Sequence, residues 1–506
     1  MRDHLEAGTL LVGIAASIAI GAKRAGVPYN VALVASGLVL VLLDLLPRHA
    51  LDPSVVLWIF LPLLVFEGAL FADVAAMRRV AGPILGLAAP GVAVSAGVTA
   101  AAAAVGLGMS VGAALPLGVL LAITDTVSVL LAVRGLGVPK RLAAILEGES
   151  LLNDGTALVL LALATDVATG QTPSATAAAR SLLLAVGGGA AIGGAAAGLA
   201  RLVLARTPDH VTAVLVTLVL ALATALGAER VHASPVIAVV ILGLAVGASA
   251  RGTASAARLV ALRSFWEVVG FAVNVVLFFL VGMQLDAATL LREAPAIGVA
   301  VLSLHAGRAA AVYGTFAVGR ALGRPATPLA WQHALVAGNV KGALPMAAAL
   351  AVPAALPDRE RIVAVVFGVT FVTLVTQALP FRRIVRALGL GATTSRRAID
   401  DARARLVAAR RGQAVLDELL AAGIVDRAAH AVRRAELQRS ILAAEAELRE
   451  EPPRGRDVVV EGALLEAKRA AVLEAARGGL VSDEAASSLV AELDDRALTL
   501  AREEER

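Results

Sequence analysis

The sequence predicts an all-α membrane protein. About 13 transmembrane helices form two inverted six-helix repeats with two broken, crossing helices, and a cytoplasmic helical C-terminal domain follows. Three observations point there. The 506 residues are 58% hydrophobic with a mean hydropathy of +0.81, against roughly 45–50% apolar residues in soluble domains. Apolar stretches long enough to cross a hydrocarbon core of about 30 Å recur from residue 7 to residue 381. Charge gathers at the other end, where residues 391–506 hold 19 of the 45 basic and 22 of the 40 acidic residues. The chain therefore divides into a transmembrane domain over 1–390 and an α-helical tail over 391–506. The absence of cysteine excludes disulfides and thiol chemistry. The basic residues sit where membrane topology explains them, so no nucleic-acid partner is expected.

The apolar segments are 7–22, 29–46, 53–72, 80–107, 110–134, 142–165, 180–200, 211–228, 232–250, 265–285, 295–319, 328–354 and 361–381. The mixed charges of Met1-Arg2-Asp3-His4 ahead of the first run predict no cleaved signal peptide. Small residues, densest at Gly187–Gly194, predict close helix packing. With the N-terminus outside, inner loops carry 14 basic residues, from Lys23 and Arg24 to Arg320 and Arg324, and outer loops carry 6. Cytoplasmic loops are enriched in Lys and Arg, so the N-terminus is expected outside and the C-terminus inside.

An internal echo accompanies this count. Phe66-Glu67-Gly68-Ala69-Leu70 resembles Leu280-Val281-Gly282-Met283-Gln284, 214 residues on. Two six-helix halves around an odd helix would then be inverted repeats. Beyond residue 390, segments 396–450 and 458–506 read as amphipathic helices, broken at Pro452-Pro453 and Gly478-Gly479. A packing or regulatory role is expected for them.

Function is carried by charge inside the spans. Glu67, Asp125, Glu149, Asp154, Arg308 and Lys341 all lie within apolar helices, where each ionisable group costs roughly 2.5–3.5 kcal/mol on insertion scales. At helical spacing Ser150 and Asp154 share one face, and Glu149 and Asn153 the adjacent one. Arg308 requires a carboxylate or carbonyl partner. Four acids against two bases leave carboxylates that must bind a cation or take up a proton. Exchange of the two is the chemistry of a cation/proton antiporter. Thr124-Asp125-Thr126 and Gly338-Asn339-Val340-Lys341-Gly342-Ala343-Leu344-Pro345 predict helix breaks. Asp125 would offset exposed N–H ends there, and Lys341 exposed carbonyl ends. His305 and His333 lack partners at metal-ligand spacing and are expected to pack or hydrogen-bond. Glu147 is expected at a solvated helix end.

These motifs resemble those of NhaP/NHE-type sodium/proton antiporters, of the monovalent cation:proton antiporter-1 family. Phe66-Glu67-Gly68, Thr124-Asp125, Glu149-Ser150-Leu151-Leu152-Asn153-Asp154, Arg308 to Tyr313 and Lys341-Gly342-Ala343 carry the resemblance. It implies a transporter rather than an enzyme, a homodimer in the cell (inner) membrane, and an elevator-like core that alternates access. It implies Asp154 as the cation and proton carrier, beside Asn153. Ser150, Glu67 and the Thr124 carbonyl would complete or adjoin the Na⁺ shell, Asp125 would stand close by, and Glu149 would pair with Arg308. The Asn-Asp order implies electroneutral exchange. No cofactor is implied; Na⁺ and H⁺ are cargo, with K⁺ or Li⁺ as alternative ions. The sequence departs from the family pattern at Thr126, usually proline, and at Lys341, usually arginine. A cation channel or a non-transporting sensor would use the same acids. An intramembrane aspartyl protease would need a Gly-x-Gly-Asp context that Asp125 and Asp154 lack.

Overall fold

The computed structural model describes residues 2–25, 27–45, 52–125, 136, 138–171, 174–207, 209–253, 256–391 and 394–449, with isolated positions between 464 and 496. The chain forms two compact units, residues 1–391 and 392–506. Among the described residues all regular structure is helical.

The first unit holds α1 (Arg2–Arg24), α2 (Tyr29–Leu42), α3 (Pro53–Phe71), α4 (Val74–Arg79), α5 (Ala81–Leu107), α6 (Val111–Ala122), α7 (Lys140–Ala168), α8 (Ala175–Arg206) and α9 (His210–Arg230). It continues with α10 (Pro235–Thr253), α11 (Ala256–Gln284), α12 (Ala287–Arg292), α13 (Ala294–Ala321), α14 (Leu329–Ala337), α15 (Ala343–Ala351), α16 (Arg359–Ala378) and α17 (Phe381–Ala387). Eight of the described helices are long and apolar enough to cross a membrane: α3, α5, α7, α8, α9, α11, α13 and α16. The other apolar stretches carry α1, α2, α6, α10 and the α14–α15 pair, which are shorter, interrupted or charged at their ends. Several helices outrun their hydropathy limits. α11 begins nine residues before the predicted 265 because its first turns are charged. There Arg258 reaches back to donate to the Leu204 and Thr207 carbonyls, capping α8.

Small residues set the packing. α2 lies on α11 through Gly37 and Gly282. A Cβ on Gly37 would stand 2.6 Å from the Phe279 carbonyl oxygen, and one on Gly282 would stand 2.3 Å from that of Val34. α10 lies on α3 in the same manner, with Gly243 and Gly247 against the backbone of Phe66 and Leu70. Phe279 follows Phe66 by 213 residues. The caps keep the same interval: Asp73 accepts from the Ala76 N–H at the start of α4, and Asp286 from the Thr289 N–H at the start of α12. The spacing is thus one residue shorter than the echo read from the motifs. Gly68 and Gly282 are not equivalent in their contacts, since Gly68 faces Leu151 and Gly282 faces Val34.

Helix ends are capped by side chains. Asp209 precedes α9, and bonds from Thr212 and from the Val211 backbone hold its exposed carboxyl down at about 2. The capping charge is therefore constant at neutral pH.

The second unit contains the antiparallel pair α18 (Thr394–Ala421) and α19 (Arg427–Arg449). The stretch 396–450, read as one helix, is broken at Gly423. Gly423 sits at φ 71°, and the Gly423 and Ile424 N–H groups bond the Leu420 and Leu419 carbonyls, closing a Schellman turn. Pro452-Pro453 and Gly478-Gly479 lie outside the described residues.

Candidate functional site

Two helix breaks meet inside the first unit. α6 stops at Ala122, and Ile123, at φ −61° and ψ 133°, leads into Thr124 and Asp125, which lie outside any helix. α14 stops at Ala337, and α15 begins only at Ala343. The Asp125 N–H donates to the Val340 carbonyl at 2.8 Å, so the two non-helical segments are joined to each other. A Cβ on Gly342 would stand 2.9 Å from Asp125 Cβ and Cγ, so only glycine admits the carboxylate beside the start of α15. Pro345 does not cause the break. It falls in the first turn of α15, where N–H groups have no intrahelical partner. Thr126 lies outside the described residues.

A broken helix leaves carbonyls without partners, and the neighbouring polar side chains take them. Asn153 Nδ2 donates to the Ala122 carbonyl at 3.3 Å and to Thr124 Oγ1 at 3.0 Å. Ser150 Oγ lies 3.4 Å from both Thr124 oxygens. Lys341 Nζ donates to the Ile123 carbonyl at 2.8 Å and to Asn339 Oδ1 at 2.7 Å. α14 is treated likewise: Arg308, on α13, donates through Nε and Nη2 to the Leu335 carbonyl at 3.1 and 2.9 Å. The same guanidinium makes a two-pronged pair with Glu149, with Nη2 to Oε2 at 2.9 Å. Glu149, Arg308, Asn153, Ser150, Thr124 and Lys341 are all buried.

Asp154 completes the cluster. The residue is half-buried, yet its Oδ1 is enclosed and has no hydrogen-bond partner among the described residues. Asn153 Oδ1 is in the same condition. Asp154 lies within electrostatic range of Asp125 and Lys341, and Lys341 within range of Arg308 and Glu149. Glu67 is positioned by α3, with its carboxylate against Gly270 of α11; the adjacent Gly68 meets Leu151, beside Ser150. α3 and α7 thus touch at the level of the cluster.

The remaining polar groups have ordinary partners. His305 bonds the Val301 carbonyl and Gln377, and His333 bonds the Tyr313 hydroxyl. Glu147 is half-buried near the start of α7. Among the described residues no group of three or more His, Asp or Glu could hold a metal ion. Two contacts escaped the sequence reading. Asn339 has no role of its own in the predicted break, yet its Oδ1 accepts from Lys341 Nζ. Thr373 on α16 accepts the Lys341 backbone N–H at 3.2 Å, a long-range contact with no local signature.

The cluster joins an enclosed carboxylate oxygen to two capped helix breaks. Glu149 and Arg308 neutralise each other, and Asp154 lies in electrostatic range of both Asp125 and Lys341.

Comparison with known proteins gives a consistent result. Residues 9–387 match the family described as sodium/hydrogen exchanger, transmembrane. The chain is 35% identical over 507 residues to the Na⁺/H⁺ antiporter NhaS2 of Synechocystis sp., covering 97% of this chain and 93% of that one. It is 32% identical over 411 residues to the Na⁺/H⁺ antiporter ApNhaP of Aphanothece halophytica, covering 77% and 76%. The fold is similar to that of the sodium proton antiporter MjNhaP1 from Methanocaldococcus jannaschii, with a TM-score of 0.64 at 16% identity over 77% of this chain and 98% of that one. With three quarters of its length inside that family pattern, the chain belongs to the transmembrane sodium/hydrogen exchanger family and is a multi-pass membrane protein.

Proposed function

We propose that the protein is a secondary active transporter that exchanges a monovalent cation, Na⁺ in the first instance, for H⁺ across the cell membrane. The observation that carries this reading is Asp154, whose enclosed oxygen has no hydrogen-bond partner among the described residues and lies beside the crossed helix breaks. A carboxylate so enclosed is stable only with a cation or a proton on it. Cation and proton therefore compete for Asp154. Asn153, Ser150, Thr124 and Glu67 supply or adjoin the oxygen shell, and Asp125 stands at the helix crossing. Glu149 and Arg308 keep the core rigid. A single exchangeable carboxylate, Asp154, favours one cation for one proton, because either occupant neutralises it.

In this reading the neutralised core moves between inward- and outward-facing positions, in an elevator-like cycle. Thirteen spans are arranged as two inverted repeats. The 213-residue interval shared by the caps and the glycine contacts supports the repeat. The chain is a homodimer, with its N-terminus outside and residues 391–506 as a cytoplasmic tail.

Proteoliposomes carrying an imposed pH gradient test the reading, with internal pH followed as Na⁺, K⁺ or Li⁺ is added and the membrane potential clamped or free. Collapse of the gradient by Na⁺, unaffected by the clamp, is the expected outcome. Collapse by K⁺ alone would reassign the ion. No collapse with any cation, from folded protein, would give way to a channel or a sensor.

A further inference from the structure

A buried lysine must be supplied with acceptors, because its ammonium has three N–H donors and no acceptor of its own. Lys341 is fully buried in the gap between α14 and α15. One donor crosses to the Ile123 carbonyl at the end of α6, and a second goes to Asn339 Oδ1, two residues back in its own segment. Asn339 is itself only 2% exposed. An apolar residue there would leave the Ile123 carbonyl as the one described oxygen holding the ammonium side chain. A carboxylate would hold it but cancel its charge. The amide does neither: it binds the ammonium and leaves the charge to act on its surroundings. The charged groups in range of Lys341 are Asp154, Glu149 and Arg308, and Asp154 is in turn in range of Asp125.

We propose that Asn339 is a positioning residue for ion exchange: its side-chain oxygen anchors the Lys341 ammonium on the Ile123 carbonyl, keeping Lys341 a fixed counter-charge to Asp154. The inference rests on the antiport reading for its consequence, though the anchoring can be measured without transport. While the ammonium stays in place, the cluster carries one exchangeable negative charge and one cation balances one proton. If Lys341 releases its proton during the cycle, a second proton moves and the exchange carries net charge. Asn339 thereby sets the stoichiometry without touching the transported ion.

Two variants of the full-length protein separate anchoring from packing. Asn339→Leu keeps the bulk and removes the acceptor; Asn339→Asp keeps bulk and acceptor. The first readout is the rate at which a membrane-permeant acylating reagent modifies Lys341, followed by mass spectrometry. The chain has only Lys23, Lys140, Lys341 and Lys468, so Lys23 serves as internal reference. A hydrogen bond to a charged group is worth about a ten- to hundredfold bias. Asn339→Leu should therefore be labelled at least about tenfold faster than wild type, and Asn339→Asp no faster than wild type. Equal labelling in all three proteins would overturn the proposal, whatever happens to transport. The second readout is the pH profile and clamp dependence of exchange in proteoliposomes. Wild type should ignore the clamp and Asn339→Leu should respond to it. An exchanging Asn339→Leu protein with the wild-type profile would also overturn the proposal. An inactive wild type would sink the antiport reading instead, with labelling still deciding the role of Asn339.

Discussion

At the scale of single residues, the site is a matter of which charges are closed and which stay open. Glu149 and Arg308 close on each other, and the guanidinium also holds the Leu335 carbonyl of α14. Removing one partner of such a pair strands the other, at a cost of about 3–5 kcal/mol. Arg308→Ala should therefore lower the thermal unfolding temperature and the membrane yield sharply, and Glu149→Gln combined with it should recover part of the loss. A stable, fully active Arg308→Ala protein would refute the pairing as a support of the core. Asp154 is the opposite case. Asp154→Asn removes the exchangeable charge while keeping the shape, so folding should persist and exchange should vanish. Wild-type rates from that variant, measured as dye-reported pH change in vesicles, would sink the assignment of the carrier.

At the scale of elements, helix contacts are decided by where a side chain cannot fit. Gly247 on α10 has the Leu70 carbonyl oxygen 2.2 Å from the position a Cβ would take, whereas Gly194 on α8 has nothing within 4 Å. Gly247→Ala should push α10 off α3 and destabilise by about 1–3 kcal/mol. Gly194→Ala should be neutral or stabilise by up to about 1 kcal/mol, since alanine is the better helix former. Thermal unfolding in detergent distinguishes the two, and equal effects would mean that the α3–α10 contact is not a tight one. The breaks obey a related rule. α6 and α14 end inside the unit and α15 ends at an exposed Ala351, and each hands its last carbonyls to cationic or amide side chains. These are Lys341 and Asn153 for α6, Arg308 for α14, and Arg359 for α15, where it donates to the Leu350 and Val352 carbonyls.

For the whole molecule, the two compact units divide at residue 391. The charged cluster lies entirely in the first. A chain ending at Gly391 should therefore insert and exchange at rates within about threefold of the full protein, with any change confined to regulation. Loss of exchange from a folded truncation would make the tail part of the transport machinery. Exchange should also depend on pH with a definite sign. Protons compete with cations for the carboxylate, so the rate at fixed Na⁺ should rise as pH rises and level off once Asp154 is fully deprotonated. Stopped-flow uptake across a pH series measures it. A rate that falls steadily from acid to alkaline pH would contradict competition at a carboxylate.

The sequence by itself determined the helical membrane class, the charged stretch after residue 390, the two polar interruptions and the identity of the intramembrane charges. It could do so because transfer into hydrocarbon penalises each residue separately, so composition and spacing record the outcome locally. The three-dimensional arrangement decided the rest. Which carbonyl Lys341 holds, that Asn339 shares it, that Arg308 spans Glu149 and Leu335, and that α18 and α19 fold back at Gly423 are contacts between residues read as separate or as one run. The partners in the ion pair are 159 positions apart, and those of the Lys341–Ile123 bond 218. Hydrogen-bond satisfaction in a medium without water is a property of the packed bundle, and only the packed bundle shows which group meets which.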